Sequence, residues 1–387
     1  MPVLSERISK LKVSAVMAMQ KKAAELRAQG IDLVHFGIGE PDFNTPEHIK
    51  RAAFKALEQN QTKYTYAGGI SELKNAIADK YRHDYGASFN ASDEVTVSNG
   101  GKQALYNLML AIINPGDDVL LPSPYWVSFP EQISFAGGNV IPIDASEENG
   151  FAITTDQVEA AITPNTKAII LNFPNNPSGA TMKGSEIEKI VSLARAKNFY
   201  VIFDECYEKF VYDGDPISGA PYGKENVVLV GSCSKTYSMT GWRIGWAAAS
   251  ADIINGMENL QGQTTSNPNS IAQWAAVEAI SGDQSSTPKM LAEYRTRRDH
   301  IVSELREIPG IQCNLPQGAF YVFPNISGCY RDGVQDSASF STWLLEKAHV
   351  ITVPGIEFGR DGHIRISYAT SMDRIKEGLS RMKKLLC

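Results

Sequence analysis

The chain has 387 residues, 43% of them hydrophobic and 21% charged, with a formal net charge of −6. That length buries a sizeable core and predicts two or three domains. The acidic balance and the absence of a dense Lys/Arg tract exclude a nucleic-acid surface, and apolar runs such as Ala168 to Leu171 are far too short to cross a bilayer. Met1 to Lys10 lacks the apolar centre of a secretory signal. The five cysteines (Cys206, Cys233, Cys313, Cys329 and Cys387) are odd in number and have no C-x-x-C, which predicts reduced thiols and a cytoplasmic protein.

Ser5 to Gln29 reads as an amphipathic helix, with Ile8, Leu11, Val16, Met19 and Ala23 among its apolar positions and Gly30 as its C-cap. Gly37-Ile-Gly-Glu-Pro-Asp42 and Lys63-Tyr-Thr-Tyr-Ala-Gly-Gly69 follow. From Val95 the chain alternates short apolar strands with helical patterns. Val95-Thr-Val97 runs into Asn99-Gly-Gly-Lys102 and a helix from Gln103 to Ile113. Val119-Leu-Leu121 runs into Pro122-Ser-Pro-Tyr-Trp126, and Ala168-Ile-Ile-Leu171 into Pro174-Asn-Asn-Pro-Ser-Gly179. Ser185-x-x-Glu188 predicts a capping box, with Ile187, Ile190, Val191 and Ala194 at helical spacing behind it. Tyr200-Val-Ile-Phe203 ends at Asp204, and the strand Val227 to Val230 ends at Gly231-Ser232. Strands linked by helices in this way predict crossover connections and a mostly parallel sheet covered on both faces. After about Ser285 the pattern turns α+β, with helices near Met290 to Leu305 and Ser337 to His349. Strands are expected near Ala319 to Phe323, Ile351 to Val353 and His363 to Tyr368, before a final helix. Residues 47–285 are therefore expected to form a large domain, and residues 1–46 with 286–387 a smaller one. The chemically suggestive groups of the middle segment each follow the C-terminal end of a strand, the edge where open α/β sheets bind ligands.

Ser232-Cys-Ser-Lys235, followed by Met239-Thr-Gly-Trp-Arg243-Ile-Gly245, is the most informative run. A lysine in a loop of small and hydroxyl residues can form a Schiff base with an aldehyde, while Ser232 and Arg243 offer donors to a phosphate. Taken alone, Lys235 reads as a surface lysine after a strand, and only residues of matching chemistry elsewhere in the chain reverse that reading. Gly100-Gly-Lys102 opens a helix, so backbone N–H groups and the helix dipole face an anion there, although glycine-rich turns are common after strands. Asp204 alone is a helix N-cap or a turn residue, Asn176 a turn residue before Pro177, and Trp126 a core aromatic. Arg365, between Ile364 and Ile366, could face solvent on spacing alone. Cys233 has no histidine nearby in sequence and reads as a packed bystander. The six histidines show no metal-ligand spacing and are read as structural, so no metal is expected.

Together, Ser232-x-Ser-Lys235 with Gly241-Trp-Arg-Ile-Gly245, Pro174-Asn-Asn-Pro-Ser-Gly179, Asp204-Glu-Cys-Tyr207, Ser123-Pro-Tyr-Trp126 and Arg365-Ile-Ser-Tyr-Ala369 occur in a familiar order. The chain resembles the class I aminotransferases of the fold-type I pyridoxal-phosphate superfamily over nearly its whole length, and within them the short-chain bacterial aspartate aminotransferase branch. The resemblance implies an α/β fold of fold type I: a large domain with a mostly parallel seven-stranded sheet sandwiched by helices, plus the small α+β domain from both termini. It implies pyridoxal 5′-phosphate as the cofactor, with Lys235 as its Schiff-base partner and proton carrier and Asp204 keeping the pyridine nitrogen protonated. Tyr207 and Asn176 resemble the pair that hydrogen-bonds the phenolic oxygen. Gly100, Gly101, Lys102, Ser232 and Arg243 resemble the phosphate cup, and Trp126 the stacking aromatic.

By the same resemblance Arg365 takes the substrate α-carboxylate, beside Asn176, Trp126 and a close backbone approach at Gly39. Tyr64 matches a tyrosine that reaches the phosphate of a neighbouring subunit, which implies a homodimer with shared sites. Lys102 matches a lysine that helps hold a distal carboxylate, assisted by Ser14. Val16 stands where threonine is expected; loss of that hydroxyl weakens carboxylate recognition by about 0.5–1.5 kcal/mol. The implied reaction is a ping-pong transamination between an L-amino acid, aspartate or glutamate for preference, and a 2-oxo acid such as 2-oxoglutarate. Aromatic, prephenate-like or alanine-type partners are the alternative within the class. Carbon–sulfur lyases share the fold, the lysine and the aspartate, so they remain the alternative of another class. A non-catalytic binding module is disfavoured by the acidic charge and by an N-terminal helix beginning almost at Met1.

Overall fold

The computed structural model describes Ser5, Ile8 and residues 15–387. Ser14 and the side chain of Val16 lie outside the described residues. Of the helix expected over Ser5 to Gln29, the described residues give Ala15–Ala28, and Leu11 lies outside them; the helix ends where glycine is expected to stop it. Gly30 has φ 80°, and the N–H groups of Gly30 and Ile31 reach back to the carbonyls of Arg27 and Leu26 at 2.9 and 3.2 Å. That pair of bonds needs a left-handed residue, which glycine adopts without a Cβ penalty.

A short strand β1 (Val34–His35) follows, and the next strands build the main sheet: β2 (Val95–Ser98), β3 (Asp118–Ser123), β4 (Asn139–Asp144), β5 (Thr166–Asn172), β6 (Tyr200–Asp204), β7 (Val227–Ser232) and β8 (Gly245–Ala248). Their order is β2-β8-β7-β6-β5-β3-β4. All neighbours are parallel except at β8, which runs antiparallel to both β2 and β7. Alternate residues feed two apolar layers. Ile169, Leu171, Val201, Phe203, Val227 and Leu229 pack on one face; Ala168, Ile170, Ile202, Val228 and Val230 pack on the other. Burial on both faces is why these strands read as unbroken apolar runs rather than as alternating ones. The chain places β4 outside β3, then returns to lay β5, β6 and β7 on the other side of β3. Loops leaving β3 and β5 diverge at that reversal, which opens a crevice at the carboxyl edge.

The capping box expected at Ser185 does not form. The helix Gly184–Lys197 begins two residues earlier than that box requires, with Lys183 as its cap and no side-chain cap hydrogen bond. A tertiary contact fixes that end instead: Glu186 accepts from the N–H and Oγ1 of Thr155 at 3.0 and 2.9 Å. A reciprocal box does occur at Thr154 and Gln157, opening the helix Thr155–Ala161.

The remaining strands are β9 (Tyr321–Val322), β10 (Val350–Ile351), β11 (Val353–Pro354) and β12 (Ile364–Ser367). The three strands β11-β12-β9 are antiparallel, and β1 pairs in parallel with β10. Helices Ser286–Arg306, Ser337–Ala348 and Met372–Leu386 cover this part. Its apolar cluster joins Val34 and Phe36 to Tyr294, Phe320, Ile364, Ile366 and Leu379. Tyr207 and Phe210, just past the end of β6, belong to the same cluster. That shared packing draws β12, and with it Arg365, against the edge where β6 ends.

Candidate active site

Strand ends supply the floor of a cavity of about 420 Å³ at the carboxyl edge of the main sheet. Asn172 and Asp204 stand side by side as the last residues of β5 and β6, with Gly231 and Ser232 closing β7 beyond them. The helix Gly101–Ile112 points its N-terminus at the same space. The cavity wall bears four basic side chains, Lys102, Lys235, Arg243 and Arg365, against one acidic one, Asp204. In a chain of net charge −6, that concentration of positive charge suits a ligand with several negative groups.

Lys235 Nζ donates to the carbonyl oxygen of Gly39 at 2.5 Å. Burial pushes its pKa below the usual lysine value, and the charges of Arg365 and Arg243 push the same way. A lowered pKa leaves more of the amine in its neutral form, the form that can attack a carbonyl or accept a proton. Asp204 is the converse case. Burial raises its carboxyl to about 6, opposed by a hydrogen bond from the N–H of Cys206 and by Lys235. The Cys206 bond, 3.1 Å to Oδ1, is the carboxylate's one hydrogen bond among the described residues. The carboxylate therefore lacks a protein cation in contact with it, although Lys235 acts on it through space.

Arg365 is 8% exposed. Its Nη1 donates to Asn176 Oδ1 at 2.9 Å and its Nη2 to the carbonyl of Gly37 at 2.8 Å, while its buried Nε has no partner among the described residues. The guanidinium lies over the rings of Tyr321 and Phe358, 4.6 and 5.1 Å from their centres. Among the described residues no carboxylate pairs with it. A buried guanidinium held only by neutral acceptors is an open seat for a carboxylate. Asn176 spends its Oδ1 on Arg365, and its N–H is fixed by Asn172 Oδ1 at 3.0 Å.

At the other end, Gly100 has φ 86°, and a Cβ there would fall 2.5 Å from Arg243 Nη2. Glycine thus lets the guanidinium lie against the helix start. Arg243 donates to the carbonyls of Thr240 and Asn99 at 2.8 and 3.4 Å, again with no carboxylate among the described residues. Ser232 Oγ bonds Ser234 Oγ at 2.8 Å and takes the N–H of Ser234 at 3.0 Å. Lys102 Nζ stands 4.9 Å from the centre of the Trp126 ring, and burial followed by the charge of Arg243 lowers its pKa.

Of the residues singled out from sequence, Gly39, Gly101, Lys102, Trp126, Asn176, Asp204, Tyr207, Ser232, Lys235, Arg243 and Arg365 line this one cavity. Gly100 lies behind it, against Arg243. Tyr64 does not line it and is 91% exposed. Cys233 is fully buried in an apolar layer and absent from the cavity wall, whereas Cys206 lines it. Sequence reasoning passed over several lining residues: Gly37, Asn172, Ser234, Tyr321 and Phe358. Two of these carried a signal, since Asn172 ends a strand as Asp204 does, and Ser234 is the second serine of the Ser-x-Ser-Lys run. Tyr321 carried none; its hydroxyl lies 2.7 Å from that of Tyr207 because both rings pack into one apolar cluster built from distant parts of the chain.

A nucleophilic amine, a buried acid and an anion-binding helix start at one sheet edge define an enzyme that works through an aldehyde cofactor. Residues 31–382 match the family of class I and II aminotransferases, and the chain belongs to that family. It is 42% identical over 388 residues to an aspartate aminotransferase of Bacillus subtilis, covering 99% of this chain and 98% of that one. It is 43% identical over 386 residues to an aspartate/prephenate aminotransferase of Thermus thermophilus, with the same coverage. The solved structure of a Thermus thermophilus aspartate aminotransferase with maleate superposes with a TM-score of 0.94 at 42% identity, both chains being covered completely. The protein is accordingly a pyridoxal-phosphate-dependent aminotransferase. Its residues fit that cofactor: among the described residues the carboxylate of Asp204 has no protein cation in contact and Arg243, at a helix start, has no carboxylate partner, while burial lowers the pKa of Lys235.

Proposed function

We propose that this aminotransferase moves an amino group between aspartate or glutamate and a 2-oxo acid such as 2-oxoglutarate, in two half-reactions that share one cavity. The observation that carries the reading is Arg365, a buried guanidinium whose Nε lacks a partner among the described residues and which lies on the same cavity wall as Lys235. Bound pyridoxal phosphate supplies an electron-withdrawing aromatic aldehyde that makes the substrate Cα–H acidic. Lys235 would hold it covalently through Nζ and, once released, carry the proton at the substrate Cα. Asp204 would keep the pyridine nitrogen protonated. Tyr207 and the Nδ2 of Asn176 would take the phenolic oxygen. Arg243, Ser232, Gly100 and the first N–H groups of the helix at Gly101 and Lys102 would hold the phosphate, with Trp126 against the ring. Arg365 orients the substrate by its α-carboxylate, Gly39 lets the substrate come close to the backbone, and Lys102 answers a second carboxylate.

Relatives named aspartate aminotransferase, at 42% identity over the full chain, support the dicarboxylic preference. Those named aspartate/prephenate aminotransferase support prephenate as a second acceptor. We infer that residues 47–285 act as the cofactor-holding domain and that residues 1–46 with 286–387 act as the smaller one. We also infer a cytoplasmic homodimer with shared sites. Phe54, Leu57, Tyr64 and Tyr66, exposed by 64%, 46%, 91% and 87%, are apolar side chains that such a dimer would cover, and Tyr64 of the partner subunit would reach the phosphate. Sedimentation of the holoenzyme as a monomer would remove that part. For the reaction, stepwise addition of amino acids to the coloured protein should bleach the aldehyde band most readily with aspartate and glutamate, leaving the 2-oxo acid and no free ammonia. Release of ammonia or sulfide from a sulfur amino acid would turn the assignment to a lyase.

A further inference from the structure

One tripeptide, Gly37-Ile-Gly39, serves both functional cations of the cavity. The carbonyl of Gly37 accepts from Arg365 Nη2 at 2.8 Å, and the carbonyl of Gly39 accepts from Lys235 Nζ at 2.5 Å. Two glycines in three residues leave such a segment with few torsional restraints of its own, so something else must fix its course. His35 stands at its start. The N–H of Gly37 donates to His35 Nδ1 at 3.2 Å, and among the described residues that N–H has no other acceptor. An N–H donates to Nδ1 only when that nitrogen is bare, so the ring is the neutral Nε2–H form. Burial, followed by the charge of Arg27, lowers the pKa of His35 and favours the same form.

The packing agrees with the hydrogen bond. A Cβ on Gly37 would fall 3.2 Å from His35 Cε1 and 3.4 Å from Val353 Cγ2, so the imidazole lies directly over the glycine. His35 itself is anchored by the pairing of β1 with β10, opposite Ile351.

We infer that His35 is a positioning residue of the active site: its Nδ1 holds the N–H of Gly37, and so the residue whose own carbonyl sets the guanidinium of Arg365 for the substrate carboxylate. The bond has the reach of an Asx turn, from a side-chain acceptor to the N–H two residues on. Asparagine at 35 can therefore supply the same acceptor, leucine supplies none, and glutamine sets its acceptor one bond too far out. The inference rests on the reading of Arg365 as the α-carboxylate seat.

The test uses the holoenzyme with maleate as a probe of dicarboxylate binding and steady-state kinetics with aspartate and 2-oxoglutarate. His35→Leu and His35→Gln should raise the maleate Kd and both KM values by about tenfold, the size of one lost hydrogen bond in such a site, with kcat changed less than about twofold. His35→Asn should restore all three. Arg365→Leu serves as the control for the underlying reading and should weaken maleate far more. If Arg365→Leu leaves maleate binding intact, the reading of Arg365 is wrong. If Arg365→Leu weakens it while His35→Leu and His35→Gln do not, the role of His35 is overturned alone. Equal loss in His35→Asn and His35→Leu would make the ring a packing element and would likewise overturn it.

Discussion

The hydroxyl groups of Tyr207 and Tyr321 lie 2.7 Å apart in a buried pair that joins the end of β6 to β9. Tyr207 is 4% exposed and Tyr321 fully buried, and among the described residues each phenol is the other's one hydrogen-bond partner, while the Tyr321 ring also supports Arg365. Tyr321→Phe keeps that ring and removes the partner. Stranding the Tyr207 hydroxyl should cost roughly 1–3 kcal/mol in stability of the cofactor-free protein, read by urea unfolding. A variant as stable as the parent would show the pair to be energetically idle.

Asp204 makes the cofactor-free protein sensitive to pH. Its carboxyl is moved from the ordinary 3.8 to about 6 by burial, so the folded state holds its proton more tightly than the unfolded chain. The associated stability is present below about pH 4 and is lost as pH rises through about 6, amounting to roughly 3 kcal/mol at neutral pH. Asp204→Asn removes that loss. Without cofactor, the variant should therefore gain on the parent between pH 5 and 7.5, while its kcat with cofactor falls by orders of magnitude. Parallel stability–pH curves for the two proteins would contradict the burial argument.

A second ionic group lies beneath the sheet edge. Lys80 pairs with Glu208 at 2.6 Å, both side chains about 5–6% exposed. Glu205 beside them, raised to about 7 by burial and by the charge of Glu208, accepts from Tyr81 and Ser218 at 3.0 and 2.6 Å. Lys80→Met should cost about 3–5 kcal/mol, because it leaves buried carboxylates without a cation. The loss should be larger at pH 8 than at pH 6, since a carboxyl with a raised value loses its contribution as pH rises through that value. Chemical denaturation at the two pH values decides it.

Lys102 should separate substrates by charge. Its amine borders Trp126 and forms no salt bridge among the described residues. Lys102→Ser should lower kcat/KM for aspartate and glutamate by about tenfold or more, one charge-assisted hydrogen bond being worth that much, and should leave alanine nearly unchanged. An unaltered aspartate value would end the dicarboxylate assignment for Lys102.

Borohydride treatment of the coloured protein should attach the cofactor irreversibly at Lys235, located by peptide mass. Lys235→Ala should bind it only reversibly and lose at least about 10²-fold in rate, the usual size of a missing general base. Labelling at any other lysine would displace Lys235 from its role.

The chain order of short apolar runs and helical patterns determined by itself a mostly parallel sheet, and with it a carboxyl edge carrying Asp204, Ser232 and Lys235. A strand end is a local property, and parallel strands bring all such ends to one side whatever lies between them. Arg365 was undecided on spacing, because its neighbours Ile364 and Ile366 leave open whether its own face meets solvent or protein. The closing of the second apolar cluster over Tyr207 and Phe210 decided that it is buried. The same closing brought Tyr321 to Tyr207, and the pairing of β1 with β10 carried His35 beside the site, although the histidines all read as structural. Contacts between residues 114 or 189 positions apart leave no local periodicity. They exist because separate apolar surfaces find their partner only when the whole chain has packed.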